Sequence, residues 1–167
     1  MFTIRQAAND EADWLQASFA EHMAWTKPPG YFAAALARQA RDELLLLLAL
    51  DDSAWLGHCA VVWRSDYPGF RDAGIPEIQD LNVRRDYRRR GIGSALLDEA
   101  ERRVSQRAEA AGIAFGLYAD YGAAQRLYVK RGYVPDGRGL HYRVSPVVAG
   151  ETYRVDDDLL LYLVKRL

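Results

Sequence analysis

The residues best suited to chemistry run together in Arg88-Arg89-Arg90-Gly91-Ile92-Gly93-Ser94. The spacing Arg-x-x-Gly-x-Gly leaves the main chain bare between a strand-like stretch and a helix-like one. N–H groups freed at such a turn lie at the positive end of the helix dipole, which suits a phosphate. Five arginines within Arg84–Arg90 add charge that steers a polyanion inward. The pattern is not a P-loop, because no Gly-Lys-Ser/Thr follows. It also lacks the third glycine of a dinucleotide fingerprint, and no acid stands twenty residues on. A tight turn with a solvated basic rim would show the same residues, so the turn alone leaves both readings open.

Other reactive side chains are scattered. Cys59 is the single cysteine and lies in an apolar stretch, where it reads as a small hydrophobe rather than a nucleophile. His22, His58 and His141 show no paired ligand spacing, so no metal is expected. Asp156-Asp157-Asp158 reads as an acidic turn before a strand. Trp25, Tyr31, Phe32 and Tyr67 flank proline-containing loops.

These residues need elements to position them. Phe2–Arg5 alternates like a short strand. Asn9 or Asp10 can cap a helix that runs to about His22, and Lys27-Pro28-Pro29-Gly30 breaks it. Ala33–Arg41 predicts a second helix. Glu43–Leu50 and Ala54–Trp63 predict a hairpin around Asp51-Asp52-Ser53. Ser65–Gly74 reads as loop and Ile75–Val83 as strand. Ile92, Leu96, Ala100 and Val104 recur every four residues and predict a long helix to about Gly112. Ile113–Tyr118 is a strand, Tyr121–Lys130 a helix closed by Arg131-Gly132, and a strand begins at Tyr133–Val134. Pro135–Asp157 holds most of the remaining turn residues, and Leu159–Val164 is a last strand. The order predicts an α/β fold with a mixed sheet and helices on both faces. Ile75–Val83, the long helix and Ile113–Tyr118 form a right-handed crossover by default.

Composition sets the frame. The 167 residues fit a single domain, and an apolar content of 50% supplies its core. A net charge of -1 argues against nucleic-acid binding by the whole surface. The longest apolar run, Leu44–Leu50, is too short to span a bilayer, and the N-terminal stretch has no signal-peptide core. The expectation is a soluble, cytoplasmic protein with no membrane or nucleic-acid partner.

At this point a resemblance enters. Leu81-x-Val83 followed by Arg88-x-x-Gly91-x-Gly93 and Leu96-Leu97 resembles the acetyl-CoA-binding signature of the GNAT superfamily of N-acetyltransferases. A second segment, Ala124-x-x-Leu127-Tyr128-x-x-x-Gly132-Tyr133, resembles the downstream motif, usually Asn-x-x-Ala-x-x-Leu-Tyr-x-x-x-Gly-Phe. Tyr121 stands where that Asn, a frequent contact of the cofactor arm, is expected. The element order matches that fold along nearly the whole chain, which implies a mostly antiparallel central sheet of the acyl-CoA N-acyltransferase type.

The resemblance implies transfer of acetyl from acetyl-CoA to the primary amine of a small molecule or peptide. Arg88, Arg89, Arg90, Gly91, Ile92, Gly93 and Ser94 would hold the pyrophosphate, largely through main-chain N–H groups. A bulge in the preceding strand would free main-chain donors at Leu81, Asn82 and Val83 for the thioester and pantetheine arm, joined by Tyr121. Tyr128 matches the tyrosine that protonates the departing thiolate. Glu77, thirteen residues before Arg90, matches the glutamate base of the histone acetyltransferase branch, and Asp80 is its rival. Other members pass the proton through water. Dimers are common in the superfamily, so a homodimer is compatible. Two other classes compete. A non-catalytic acyl-CoA sensor is favoured by Tyr121 in place of Asn, and a nucleic-acid or phosphoprotein binder would use Arg84–Arg90.

Overall fold

The computed structural model describes all 167 residues. Eight strands form one mixed sheet in the hydrogen-bonded order β1-β2-β3-β4-β5-β8-β6-β7. By packing, the chain falls into two compact units. One comprises Met1–Trp63 and Gln79–Arg103, the other Arg64–Ile78 and Val104–Leu167.

The first unit holds β1 (Thr3–Gln6), α1 (Ala12–His22), α2 (Tyr31–Ala40), β2 (Leu44–Asp51) and β3 (Ala54–Val62). The unit boundary divides β4 (Glu77–Val83) after Ile78 and α4 (Ile92–Ser105) after Arg103. The strand β2 is antiparallel to both β1 and β3. Its residues Leu44–Leu50 are all buried, which explains how a run of leucines with ordinary helix preference is held extended. Asp51-Asp52-Ser53 closes the hairpin, with Asp52 left-handed at φ 51°. Leu15, Phe19, Phe32, Leu36, Leu46, Leu48 and Trp55 belong to one core cluster. Neither Asn9 nor Asp10 occupies the cap position of α1, which belongs to Glu11. Glu11 instead accepts from the Ala8 N–H at 2.7 Å and pairs with Arg5.

The second unit holds α3 (Pro68–Arg71), β5 (Ala110–Gly116), α5 (Gly122–Lys130), β6 (Val134–Tyr142), β7 (Ser145–Pro146) and β8 (Leu159–Arg166). Within it the start of β4 runs parallel to β5, with Glu77 opposite Gly112 and Ile78 opposite Ile113. Tyr67 stacks on Tyr162 with centroids 3.7 Å apart, and Phe70 meets both rings edge-on. Gly112 is required here, because a Cβ on it would lie 2.3 Å from the Phe70 ring.

The strand expected at Ile113–Tyr118 runs Ala110–Gly116, and three other stretches differ more. The long helix ends at Ser105, not near Gly112: the Val104 carbonyl accepts from Arg107 and Ala108, and the chain re-enters the sheet at Ala110. The stretch after Val134 is a strand to Tyr142 despite Pro135, Gly137 and Gly139, which sit in a register break between Pro135 and Leu140. The loop Ser65–Gly74 contains the short helix α3, started by Pro68.

Candidate functional site

In the first unit the basic turn has the geometry an anion site needs. Arg89 and Gly91 are both left-handed, at φ 61° and 82°, just before α4. Arg88, Arg89, Arg90 and Gly91 are exposed, and Ile92 is buried as the first anchored residue of the helix. The Ala95 N–H donates to the Gly91 carbonyl at 2.9 Å, which fixes the first helical turn. The Arg88 guanidinium donates back to the Val83 carbonyl at 3.2 Å. Arg84 and Arg90 each lie 4.8 Å from the Tyr87 ring centroid. Donors, dipole and open space therefore fit a pyrophosphate.

Just upstream, Asp80 interrupts β4 with φ 54°. Beyond it the alternation fails: Gln79, Asp80 and Leu81 are all partly exposed, while Asn82 is buried. Asp80 thus breaks the regular pleat of β4 with a left-handed step.

Sequence reasoning missed what surrounds that residue. The Asp80 carboxylate receives Lys27 Nζ and, at 2.6 Å, Asn82 Nδ2 on Oδ1. On Oδ2 it receives the Tyr31 hydroxyl at 2.6 Å and lies 2.9 Å from His58 Nε2. Asn82 Nδ2 also donates to the main-chain carbonyl of Asp80 at 3.1 Å. Burial alone would raise this carboxyl. The hydrogen bond and charge of His58, with those of Lys27, outweigh it and hold the group well below the usual carboxylate range. The Lys27 ammonium lies 4.4 Å from the Tyr31 ring centroid and 5.5 Å from that of Phe19. His58 is fully buried among Phe19, Phe32 and Trp55. No local spacing links positions 27, 31, 58 and 80. Of the aromatic residues singled out above, Phe32 and Tyr67 are core, Tyr31 serves Asp80, and Trp25 is exposed. Cys59 is fully buried, and burial pushes its thiol far up.

In the second unit Glu77 is buried at 5% exposure, and its Oε2 accepts the Ser65 hydroxyl. The Ser65 oxygen in turn accepts the Tyr67 N–H at 3.0 Å. Tyr128 is buried on α5, stacked on Phe115 with centroids 6.3 Å apart. Gly132, left-handed at φ 88°, ends that helix as expected. Tyr121 packs its ring where a Cβ on Gly116 would lie, 2.5 Å away, and donates its hydroxyl to Asp157 at 3.0 Å. No group of three or more His, Cys, Asp or Glu is arranged to hold a metal ion. No helix is long and apolar enough to cross a membrane.

The mixed eight-stranded sheet with its helices has the acyl-CoA N-acyltransferase fold. The profile of the Acetyltransferase (GNAT) family matches residues 5–133, and the chain belongs to that family. Similar solved structures include Ard1 from Thermoplasma volcanium, with TM-score 0.70 and 16% identity over 99% of this chain and 97% of that one. Another is ribosomal-protein-alanine N-acetyltransferase from Brucella melitensis, with TM-score 0.69 and 21% identity over 99% of both chains. An N-acetyltransferase from Staphylococcus aureus Mu50 has TM-score 0.69 and 18% identity over 99% and 98%. At these identities the likeness concerns the fold. No curated protein matches the sequence. The fold is one that uses acyl-CoA donors, and the family supports acyl transfer as the activity.

Proposed function

We propose that the chain works as one N-acetyltransferase domain that moves acetyl from acetyl-CoA to a primary amine by direct transfer in a ternary complex. The observation that carries this reading is the pair of left-handed residues Arg89 and Gly91, placed between the irregular strand β4 and the start of α4. Acetyl-CoA supplies the acyl group as a thioester. The turn Arg88–Ser94 binds its pyrophosphate, and main-chain donors of Leu81–Val83 orient the thioester and the arm behind it. Tyr121 occupies the family's Asn position beside the arm.

Two proton movements remain. Glu77 takes a proton from the acceptor's ammonium, since an alkyl amine is protonated at neutral pH, and the neutral amine then attacks the thioester. Asp80 is the poorer acceptor, because His58 and Lys27 stabilise its ionised form. The Tyr128 hydroxyl gives a proton to the departing thiolate, a role that rests on its match to the family motif. Direct transfer is supported by the burial of Cys59, the chain's single thiol.

A thiol-release assay with acetyl-CoA over a panel of alkyl amines, diamines, amino acids and peptides with free N-termini or lysines tests the reading. Turnover of at least one amine is expected. Tight acetyl-CoA binding without transfer to any would favour the sensor function.

A further inference from the structure

We propose that Asp80 is a positioning residue, whose carboxylate pins the left-handed step of β4 by gathering Lys27, Tyr31, His58 and Asn82 onto its two oxygens. The proposal rests on the acetyltransferase reading above, which gives the main chain after Asp80 its task.

Three observations carry it. First, the carboxylate is saturated. An ionised carboxylate offers about four lone-pair directions. Oδ1 meets Lys27 and Asn82, and Oδ2 meets Tyr31 and His58, so each oxygen has two partners. No direction is left for a proton arriving from a substrate amine. Second, the network acts on the backbone of the residue that owns it. The single amide of Asn82 bridges the carboxylate and the main-chain carbonyl of Asp80, tying side chain to main chain across the left-handed step. A left-handed φ is disfavoured for any residue with a Cβ, although Asp bears it better than most. Such a conformation persists where its surroundings over-determine it. Third, the partners come from separate elements. Lys27 lies in the α1–α2 connection, Tyr31 opens α2, His58 lies on β3 and Asn82 on β4. The side chains of Asp80 and Lys27 are 14% and 16% exposed, so water competes little for the pair.

The consequence is a division of labour along β4. Asp80 touches neither the amine nor the thioester. It fixes the direction in which the chain leaves the left-handed step, and with it the donors of Leu81–Val83. The Lys27-Pro28-Pro29-Gly30 segment is tied to the same carboxylate.

The test uses the full chain with acetyl-CoA and an amine that the wild type accepts. It compares wild type, Asp80→Asn, Asp80→Gly, Lys27→Met and Tyr31→Phe. Turnover is followed against pH, and acetyl-CoA affinity is measured by calorimetry. Positioning predicts that Asp80→Asn and Lys27→Met lower kcat by roughly ten- to a hundredfold, the scale of a small misplacement. They also weaken acetyl-CoA several-fold, and the midpoint of the acid limb of the pH profile stays where it is in wild type. Asp80→Gly, which relieves the left-handed backbone but removes the network, falls as far as Asp80→Asn. The proposal is overturned if Asp80→Asn keeps kcat and affinity within twofold. It is also overturned if Asp80→Asn abolishes the acid limb, or if Lys27→Met moves its midpoint upward, since either marks Asp80 as the base. Full activity in Asp80→Gly reduces the residue to a tolerated turn and overturns it too. If Asp80→Asn does not fold, Lys27→Met and Tyr31→Phe, which keep the carboxylate, carry the same comparison. If the wild type transfers acetyl to nothing, the acetyltransferase reading fails, and the acetyl-CoA affinities of the variants still decide the positioning.

Discussion

Gly57 and Asn82 touch backbone to backbone: a Cβ on Gly57 would lie 2.4 Å from the Asn82 carbonyl oxygen and 3.2 Å from the Val83 Cα. The glycine on β3 is what lets β4 close in beside the left-handed Asp80. Gly57→Ala should push the two strands apart. Overpacking of this kind costs about 1–3 kcal/mol. Chemical denaturation should show a loss of that size, and acetyl-CoA affinity should fall in the folded protein. A variant as stable and as tight-binding as wild type would refute the close approach.

The pyrophosphate assignment predicts that Gly91→Glu abolishes CoA binding. Open space surrounds Gly91, so the side chain itself fits. Its backbone is left-handed at φ 82°, however, and the new carboxylate would repel phosphate. Calorimetry with CoA on the folded variant measures this directly, and unchanged affinity would place the anion site elsewhere.

Tyr128→Phe separates binding from chemistry. A hydroxyl that protonates the thiolate matters only as charge develops on sulfur. The variant should bind acetyl-CoA nearly as wild type while kcat drops by roughly ten- to a thousandfold, the range of general acid catalysis or a little below it. Retained kcat here, with loss in Tyr121→Phe, would move the acid to Tyr121.

Glu77→Gln tests the base through pH. Its deficit should be largest below the pKa of the acceptor amine and shrink as pH rises and the amine loses its own proton. A deficit that is constant across pH would assign Glu77 to holding Ser65 and the turn at Tyr67 instead.

The Asp80 carboxyl also predicts a pH dependence of stability. Burial opposes its ionisation, but His58 and Lys27 prevail and its folded pKa lies below the unfolded value. The stabilisation is therefore fully present above the unfolded pKa of about 4 and is lost as pH falls through the lower folded value. Asp80→Asn should be less stable at neutral pH by about 3 kcal/mol, the order expected when a buried pair loses one member. Urea denaturation from pH 7 to pH 2 should show the gap between the two proteins closing toward the acid end. A gap that stays constant with pH would contradict the charge pairing.

Much of this was legible in the sequence where spacing is local. The hairpin at Asp51-Asp52-Ser53, the turn at Arg88–Ser94 and the helix stop at Gly132 each depend on residues within a few positions, and all three stand. The end of α4 was misread because Ala108 continues the apolar rhythm past Val104, whereas sheet pairing from Ala110 takes the chain. Strand β6 was hidden by Pro135 and two glycines, which a register break accommodates. The Asp80 cluster was invisible for a different reason. Lys27 and Asp80 alone lie 53 residues apart, and only the fold brings the members to one carboxylate.

The leucine strand β2 has a consequence outside catalysis. Leu44–Leu50 pairs on both edges and faces core on both sides only once β1 and β3 are in place. In the unfolded chain it is a seven-residue, uncharged, proline-free tract, the kind that self-associates into stacked strands. Glu43 and Asp51 bracket it, and like charges stacked in register would repel at both ends of such a pile. Those two acids lose their charge below about pH 4. Heating at acid pH should therefore leave insoluble protein where heating at neutral pH leaves more chains able to refold. The colloidal fate of the denatured enzyme is set by two carboxylates that have no part in its chemistry.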